Sequence, residues 1–398
     1  MVQAAPLKSE LLNELRRRGF IHSATSLDGL DHRLTQGPIT AYVGFDLTAQ
    51  SLHVGSLIQI MVAKWLIAHG NKVIVLLGTS TTKIGDPSGK TESRPLLDDE
   101  TIRKNQEGIT KVLRKLLGPD VTFVNNDWFD TSYIDFIRHY GPLFTVNRML
   151  ALDSVKSRLD RQDPMTFLEF NYVILQSVDF LELNSRHQCD LQIGGSDQWG
   201  NILAGVDLIR RVMERPVFGL TTQLMTNSAG EKMGKTARGA VWLDSDLTSP
   251  FDFWQFWRNV EDGKLEEFFN LFTTVPFPDH LHVNHQKELL AGLITEMVHG
   301  KEEAVRAHKT ALAMMSGDIG PSTPTFDFID EEPIVDALVR TGLVKSKGEG
   351  DRLAANNGVR VNGVVVNDVR QKFTRASLED LNVRIAVGKK KVVALVAG

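Results

Sequence analysis

Short apolar segments alternate with helical segments between residues 38 and 215, and this alternation restricts the possible folds more than any other feature. The alternation predicts strands at Ile39–Phe45, Lys72–Leu77, Val121–Val124 and Asp190–Ile193, and helices near Gly55–Ala68, Asp98–Leu117 and Gly200–Met213. Strands and helices in this order are typical of a Rossmann-like, doubly wound parallel α/β sheet. Ligands bind at the carboxyl ends of the strands in such a sheet, so polar residues there are the first candidates for a site.

The rest of the chain predicts additional helical and α+β regions. A helical region at about Phe129–Leu183 interrupts the alternation, and we expect it to contribute to a subunit interface. The sequence after Ser249 is helical and aromatic, and we expect Trp254 and Trp257 in its core. The predicted division is a catalytic domain at 1–220 with the helical insertion, a loop region at 221–248, a helical domain at 249–316, a linker at 317–332 and a small α+β domain at 333–398.

The composition is that of a globular protein that does not cross a membrane. The chain has 398 residues, of which 42% are hydrophobic and 24% charged, and no apolar run is long enough for a bilayer. Met1–Phe20 mixes acidic and basic residues without an apolar block, which predicts a surface helix rather than a signal peptide. Cys189 is the only cysteine, which excludes an internal disulfide framework and predicts a reducing cytoplasm.

The charge is unevenly distributed along the chain. The formal net charge is −4, yet residues 333–398 contain twelve basic and six acidic side chains and therefore carry +6. The remainder then carries −10, and a basic tail on an acidic body is expected of an appended RNA-binding module. A solvated basic surface is the open alternative.

Two separated motifs suggest a nucleotide site. In the first signature, Tyr42–Ser56, a strand leads through a turn with glycines into a helix, and His53 lies where free amides at a helix start can meet phosphate. In the second signature, Lys232–Thr236, two lysines three residues apart can face one polyanion. Each motif alone is weak, whereas the ordered pair is specific.

Three clusters between the signatures add chemistry. Ile84–Thr91 resembles a P-loop, but Ile84 stands where that motif needs glycine, so a P-loop NTPase is the weaker interpretation. Tyr172, Gln176 and Asp179 follow helical spacing and can present a phenol, an amide and a carboxylate on one face. Gly194–Gln198 follows a predicted strand, where a carboxylate can meet a ribose.

With these motifs in order, the chain resembles the bacterial tyrosyl-tRNA synthetases of class I over essentially its whole length. The matching runs are Gly-Phe-Asp-x-Thr, Gly-Asp-Pro-Ser-Gly-Lys, Tyr-x-x-x-Gln-x-x-Asp, Gly-Gly-Ser-Asp-Gln-Trp-Gly-Asn and Lys-Met-Gly-Lys-Thr. The tail around Val359–Gly363 is similar to an S4-type RNA-binding domain. The resemblance therefore implies tyrosine, ATP and tRNA(Tyr) as substrates and a homodimer, with neither a membrane nor DNA as partner.

The resemblance also implies a role for individual residues. The tyrosine site would consist of Tyr42 and Asp179 at the phenol, Asp86, Tyr172 and Gln176 at the α-ammonium, and Gln198. The ATP site would contain Gly44, Asp46, His53, Gly55, Ser56, Gly195, Asp197 and Lys235. The residues acting on the phosphates would be Thr48, His53, Lys90, Arg94, Lys232, Lys235 and Thr236. Candidate RNA contacts in the tail are Arg352, Arg360 and Lys372.

The signatures depart from the general patterns at a few positions. Ser56 replaces the second histidine or an asparagine, so a ribose contact there is weaker or passes through water. Gly234 and Thr236 replace the serines of the wider class, and Leu47 replaces proline. The two lysines are retained, so we expect activity.

The implied chemistry is formation of tyrosyl-adenylate followed by transfer to tRNA. Mg²⁺ is expected to arrive on the phosphates, with no protein metal site. The sequence shows no metal-ligand pattern at five further histidines, which are His139, His187, His280, His282 and His285. A tryptophanyl enzyme is one alternative, and an RNA-binding regulator on a decayed synthetase scaffold is another.

Overall fold

A computed structural model of the chain describes residues 7–88, 96–236, 239–316, 323–374, 382–388 and 391–396, without the side chains of 235, 236 and 313–316. The chain divides into two compact units, Met1–His299 and Gly300–Gly398. We describe each unit by itself.

The first unit is built on a mainly parallel sheet. Its strands, in spatial order, are β1 (Ser23–Ala24), β6 (Phe218–Thr222), β5 (Cys189–Gly195), β2 (Thr40–Asp46), β3 (Lys72–Gly78) and β4 (Thr122–Asn125). Only β1 is antiparallel to its neighbour among these described strands. The predicted doubly wound α/β sheet is confirmed, and the prediction missed β1 and β6.

Helices cover the sheet and extend the unit. In chain order they are α1 (Glu10–Arg18), α2 (Leu27–Thr35), α3 (Leu57–Ala68), α4 (Asp99–Leu117), α5 (Tyr133–Tyr140), α6 (Val146–Leu150), α7 (Asp153–Asp160), α8 (Phe167–Phe170), α9 (Tyr172–His187), α10 (Trp199–Met213), α11 (Pro250–Arg258), α12 (Leu265–Phe272) and α13 (Val283–His299). A short hairpin of β7 (Lys235–Thr236) and β8 (Gly239–Ala240) lies between β6 and α11.

Local sequence explains where the helices beside the site begin and end. A 3₁₀ turn at Val54–Ser56 precedes α3, which therefore begins two residues later than predicted. Asp98 caps α4 by accepting a hydrogen bond from the Thr101 amide at 2.7 Å, and basic residues occupy the last turn of α4, where the helix dipole favours them.

Two apolar regions of this unit differ in their exposure. Trp254 and Trp257 are both buried, as predicted, and the Trp257 ring packs against α12, with its centroid 5.2 Å from that of Phe272. In contrast, the helical region α5–α8 leaves large apolar side chains in solvent, and Phe167 is 67% exposed. A monomeric surface seldom presents so many apolar groups together.

The second unit combines helices with a small sheet, as expected for the C-terminal α+β region. Its elements are α14 (Lys301–Ser316), β9 (Thr325–Asp327), α15 (Ile334–Arg340), α16 (Lys347–Ala355), β10 (Val359–Val361), β11 (Val364–Val365), β12 (Asn382–Val387) and β13 (Lys391–Val396). Strands β10 and β11 form a hairpin, in which Asn362 and Gly363 both have the positive φ of a type I′ turn.

The expected linker overlaps this sheet. Thr325–Asp327 pair with β13 in parallel, and the buried strand partner explains why a segment of small polar residues becomes ordered there. Within the described residues, no helix combines the length and apolar composition needed to cross a bilayer.

Candidate active site

One cavity of about 700 Å³ opens at the carboxyl ends of β2, β3 and β5, where a doubly wound sheet places its ligands. Two signatures far apart in sequence meet in it. The predicted site residues that line it are Tyr42, Gly44, Asp46, Thr48, His53, Gly55, Ser56, Asp86, Tyr172, Gln176, Asp179, Gly195, Asp197, Gln198 and Lys232. Lys90 and Arg94 lie outside the described residues, as do the side chains of Lys235 and Thr236.

A buried carboxylate lies at the closed end of the cavity. Asp179 on α9 is 2% exposed and accepts hydrogen bonds from Trp128 Nε1 at 3.0 Å and from Asn126 Nδ2 at 3.3 Å. Burial raises the pKa of Asp179 well above its usual range, while these two donors oppose that shift. The carboxylate is therefore held in one orientation toward the cavity.

The Tyr42 hydroxyl is the second polar group at this end. Tyr42 is 1% exposed, and its hydroxyl has no hydrogen-bond partner among the described residues. Burial, and then the nearby Asp179 carboxylate, raise the pKa of Tyr42 well above its usual range, so the phenol stays protonated. A buried hydroxyl without a partner is unfavourable, and a polar ligand group would satisfy it.

The sequence analysis missed the residues that hold Asp179. Asn126 is fully buried, donates to Thr81 Oγ1 at 3.1 Å and accepts from the Ser80 amide at 2.7 Å. It follows directly after β4, so the rule that ligands bind at the carboxyl ends of strands could have identified it. Trp128 follows two residues later and had no comparable signal.

A chain of amides connects the next residues of the cavity. Gln198 Nε2 donates to Asp86 at 2.6 Å, and Gln176 Nε2 donates to Gln198 at 3.1 Å. Asn201 Nδ2 in turn donates to Gln176 Oε1 at 2.9 Å. Asn201 ends the Gly-Gly-Ser-Asp-Gln-Trp-Gly-Asn run, which was the available signal, although the sequence analysis gave it no role. This series of hydrogen bonds determines which oxygen and nitrogen atoms of the amides can contact a ligand.

Asp46 joins the two ends of the cavity. Its carboxylate accepts from the Tyr172 hydroxyl at 3.1 Å and from Thr81 Oγ1 at 3.0 Å. These partners belong to the amino-acid end, whereas the sequence assigned Asp46 to ATP. The observed contacts therefore place Asp46 at the junction of the two predicted subsites.

The His53 imidazole is oriented by its own turn. Its Nδ1 accepts a hydrogen bond from the Gly55 amide at 3.0 Å. Because an amide can only donate, Nδ1 carries no hydrogen, and the neutral ring carries it on Nε2. The histidine can therefore donate from Nε2, which suits a phosphate oxygen.

Backbone pairing attaches the region of the second signature to the first signature. The Val54 amide donates to the Val241 carbonyl at 2.9 Å, and the Leu243 amide donates to the Leu52 carbonyl at 2.8 Å. Lys232, whose side chain is 54% exposed, forms an ion pair with Asp197 at 3.2 Å. Lys232 from one signature and His53 from the other therefore line the same cavity.

Gly195 occupies a position that leaves no room for a side chain. A Cβ there would lie 2.8 Å from Asp197 Oδ1 and 2.9 Å from Leu224 Cδ2. The backbone of β5 therefore approaches both the cavity wall and the carboxylate that the sequence assigned to ATP.

The predicted RNA contacts lie in the second unit. Arg352 on α16 and Arg360 on β10 are exposed, and Arg360 has no ion-pair partner within the described residues. Lys372 forms an ion pair with Glu331 at 3.3 Å. Their assignment to RNA stays a prediction. Within the described residues, no cluster of three or more His, Cys, Asp or Glu side chains is arranged to hold a metal ion.

Comparisons with known proteins agree with the fold and identify the family. A family described as "tRNA synthetases class I (W and Y)" matches residues 34–316, and one described as "Tyrosine--tRNA ligase SYY-like C-terminal domain" matches residues 319–395. The chain is 49% identical to the tyrosine–tRNA ligase of Caulobacter vibrioides, covering 99% of both chains. It is 47% identical to that of Rhodospirillum rubrum, covering 96% of this chain and 97% of the relative.

A solved structure is similar as well. A C-terminally truncated mitochondrial tyrosyl-tRNA synthetase from Aspergillus nidulans superposes with a TM-score of 0.67 at 29% identity, covering 76% of this chain and 94% of that one. The protein is thus an enzyme with the architecture of a class I aminoacyl-tRNA synthetase. Within that class, the chain belongs to the bacterial tyrosine–tRNA ligases. This confirms the family inferred from the sequence and contradicts the tryptophanyl alternative.

Proposed function

We propose that this tyrosine–tRNA ligase carries out both of its steps in the cavity described above, with tyrosine at the Asp179 end and MgATP at the His53 end. First, a carboxylate oxygen of tyrosine attacks the α-phosphorus of ATP, and the bond to pyrophosphate breaks to give tyrosyl-adenylate. Then the 3′-terminal hydroxyl of tRNA(Tyr) attacks the adenylate carbonyl, and AMP leaves. The observation that carries this proposal is that a prepared carboxylate and a hydrogen-donating histidine line one cavity.

At the tyrosine end, the phenol would lie between Tyr42 and Asp179. Asp86, Tyr172 and Gln176 would hold the α-ammonium group, with Gln198 completing the site. The unpartnered Tyr42 hydroxyl supports this assignment. Phenylalanine would leave that hydroxyl without a partner and would offer no phenol donor to the buried Asp179 carboxylate, which disfavours it as a substrate.

At the other end, the charge that develops on departing pyrophosphate would be stabilised by His53, Thr48 and Lys232. Lys90, Arg94, Lys235 and Thr236 would join them. Contacts that strengthen only as the bonds rearrange raise the rate rather than the affinity. The adenosine would lie along Gly44, Gly55, Ser56, Gly195 and Asp197, with Asp46 at the junction, and Mg²⁺ would enter as part of the MgATP substrate.

Pyrophosphate exchange tests the first step. We expect the full-length enzyme to exchange labelled pyrophosphate into ATP in the presence of tyrosine, and not with tryptophan or phenylalanine at equal concentration. Exchange that needs no amino acid, or that prefers tryptophan, would contradict the proposed site. Charging of tRNA(Tyr) in the same preparation then tests the second step.

The S4-like C-terminal unit would bind tRNA by contacting the phosphates of the RNA backbone. Arg352 and Arg360 are exposed, and Lys372 could exchange Glu331 for a phosphate. We expect Arg352→Gln with Arg360→Gln to spare pyrophosphate exchange and to weaken charging relative to the parent, most at low salt and less as salt rises, because each lost phosphate contact removes a salt-sensitive part of the affinity. Arg370→Gln is the matched control, since Arg370 is paired with Asp351 in the same unit. Equal charging by both variants would contradict these contacts.

A second copy of the chain would cover the exposed apolar side chains of α5–α8. Phe167, Tyr133, Ile134 and Val146 are all more than half exposed, and burying them supplies the free energy of association. We expect Phe167→Asp to shift the enzyme from dimer toward monomer in analytical ultracentrifugation, whereas Val305→Asp on the exposed face of α14 would not. A monomeric parent enzyme would contradict the dimer.

Two further assignments accompany this function. We propose that the enzyme works in the cytoplasm, because a single buried cysteine fits a reducing compartment. We also retain as a proposal the division into functional domains at residues 221, 249, 317 and 333.

A further inference from the structure

We propose that Gly234 of the second signature is a positioning residue for His53 of the first, because its bare backbone leaves room for the hydrogen bond that orients the imidazole. This inference rests on the proposed role of His53 at the phosphates. It assigns to the second signature a task that its lysines do not perform.

The hydrogen bond that orients the imidazole joins residues only two positions apart, and the space around it is narrow. The Gly55 amide donates to His53 Nδ1 at 3.0 Å, and this contact fixes the hydrogen on Nε2. The imidazole lies so close to the turn that a Cβ at Gly55 would come within 2.6 Å of Cε1. The ring therefore already has no space on the side of its own turn.

Gly234 lies over the same hydrogen bond from the other side. A Cβ at Gly234 would lie 3.0 Å from His53 Nδ1 and 3.5 Å from the Gly55 nitrogen, the two atoms that the hydrogen bond joins. The φ of Gly234 is +114°, which residues with a side chain rarely adopt. The backbone conformation therefore favours glycine, and a side chain would fit only if the imidazole moved aside by a few tenths of an ångström.

The backbone around Gly234 cannot easily move aside. The Met233 amide donates to the Met225 carbonyl at 2.7 Å, and the Val241 amide donates to the Gly234 carbonyl at 2.9 Å. Moving the loop away would strain these two bonds, so an added side chain would displace the imidazole instead. A displaced ring loses the Gly55 hydrogen bond and with it the preference for a hydrogen on Nε2.

The hairpin supplies a matched control for the strain. Gly239 has a φ of +110°, close to that of Gly234, but a Cβ added there meets no atom of the described residues within 4 Å. Gly239→Ala therefore adds the backbone strain without the collision. The difference between the two alanine variants isolates the effect on His53.

The measurement is the single-turnover rate constant for adenylate formation, together with the Kd for tyrosine. We expect Gly234→Ala to slow adenylate formation about 10- to 100-fold and Gly239→Ala no more than about threefold, with the tyrosine Kd nearly unchanged in both. An unchanged Kd also shows that the variants are folded. Equal losses in the two variants would overturn the proposal.

A second background tests whether the loss passes through the imidazole. In His53→Ala enzyme the ring is absent, so Gly234→Ala should cost no more than Gly239→Ala does. A full Gly234→Ala loss in that background would also overturn the proposal.

The proposed role of His53 can fail separately. If His53→Ala alone does not slow adenylate formation, His53 has no role at the phosphates. The positioning is then read from ring-nitrogen NMR shifts. We expect the Nε2-protonated tautomer in the parent and in Gly239→Ala, and a mixture in Gly234→Ala; the same tautomer in all three would refute the positioning.

Discussion

The two ends of the cavity are organised in opposite ways. At the tyrosine end, buried side chains hold one another: Asp179 accepts from Asn126 and Trp128, and Asn201 begins a chain of amides that reaches Asp86. At the phosphate end, Lys232 is half exposed and has one ion pair with Asp197. Backbone pairing, rather than packed side chains, places it there.

This difference fits the ligand that we propose for each end. Tyrosine is bound in its ground state, so donors and acceptors fixed in advance give affinity and selectivity. Pyrophosphate gains its charge only during the reaction, so cations that engage late lower the barrier without binding the substrate too tightly. Substitutions at the two ends should therefore change different kinetic constants.

The largest effect is expected from Asp179→Asn. The asparagine amide has one acceptor oxygen, and its NH₂ group would face either Trp128 Nε1 or Asn126 Nδ2, both of which are donors. We expect kcat/KM for tyrosine to fall about 100- to 1000-fold, because a buried donor loses its partner and the phenol loses a charged acceptor. Pyrophosphate exchange at varied tyrosine concentration measures this.

Glu182→Gln is the matched control for that substitution. Glu182 lies on α9 about one turn after Asp179 and pairs with Arg186 at the surface. We expect its kcat/KM to stay close to that of the parent. A similar loss in both variants would mean that Asp179 acts through the stability of α9 and not through the phenol.

Lys232→Ala should lower the rate constant of adenylate formation and leave the affinity for tyrosine unchanged. We expect adenylate formation to slow about 30- to 100-fold at saturating substrates, with the tyrosine Kd unchanged, because the lysine charge meets pyrophosphate in the transition state. Lys264→Ala is the control, since Lys264 lies near the same loop but pairs with Glu267. A change confined to the tyrosine Kd would remove the contrast between the two ends.

The residues that line the phosphate end of the cavity were easier to predict from the sequence than the residues that hold Asp179 at the tyrosine end. His53, Gly55 and Lys232 belong to contiguous signatures whose spacing carries the information. Asn126 and Trp128 act on Asp179 from more than 50 positions away, and a single sequence does not specify which buried amide reaches which carboxylate.

The same distinction holds for the fold. Strands β2 and β3 were predictable because their apolar runs are long and bounded by turns. Strand β9 was predicted as linker, since Thr325–Asp327 lie among small polar residues and are ordered by pairing with β13 near the end of the chain. Local composition does not contain that pairing.

Asn201→Asp tests the amide chain that the sequence did not predict. The substitution keeps the shape but replaces the NH₂ donor by a carboxylate, which repels Gln176 Oε1. We expect the tyrosine Kd to rise about tenfold, with the rate at saturating tyrosine within about threefold of the parent, because the chain orients groups that bind the ground state. Equilibrium dialysis and single-turnover kinetics separate the two. If the rate falls while the Kd holds, the chain serves the reacting groups instead.

The smallest expected effect is the pH dependence of tyrosine binding. It tests the tyrosine end of the cavity without any substitution at the phosphate end. Burial raises the pKa of Asp179 above the usual aspartate value of 3.8. The carboxylate is the better acceptor for a phenol, so tyrosine should bind best above this pKa and more weakly as pH falls toward it. Because the pKa of Asp179 is raised, the loss of tyrosine affinity begins at a higher pH, at which a solvent-exposed aspartate would still be fully ionised.

As pH is lowered from about 8 toward the raised pKa of Asp179, we therefore expect the tyrosine Kd to rise by about two- to threefold, whereas the Kd of Asp179→Asn should stay flat. The amino and carboxyl groups of free tyrosine keep their charges over this interval, so they do not contribute. Isothermal titration calorimetry at each pH gives the Kd. If the parent is flat as well, the Trp128 and Asn126 donors outweigh the effect of burial and keep Asp179 ionised. An identical slope in Asp179→Asn would assign the titration to another group. A slope that disappears with the carboxylate identifies Asp179 as the group whose ionisation tyrosine binding requires.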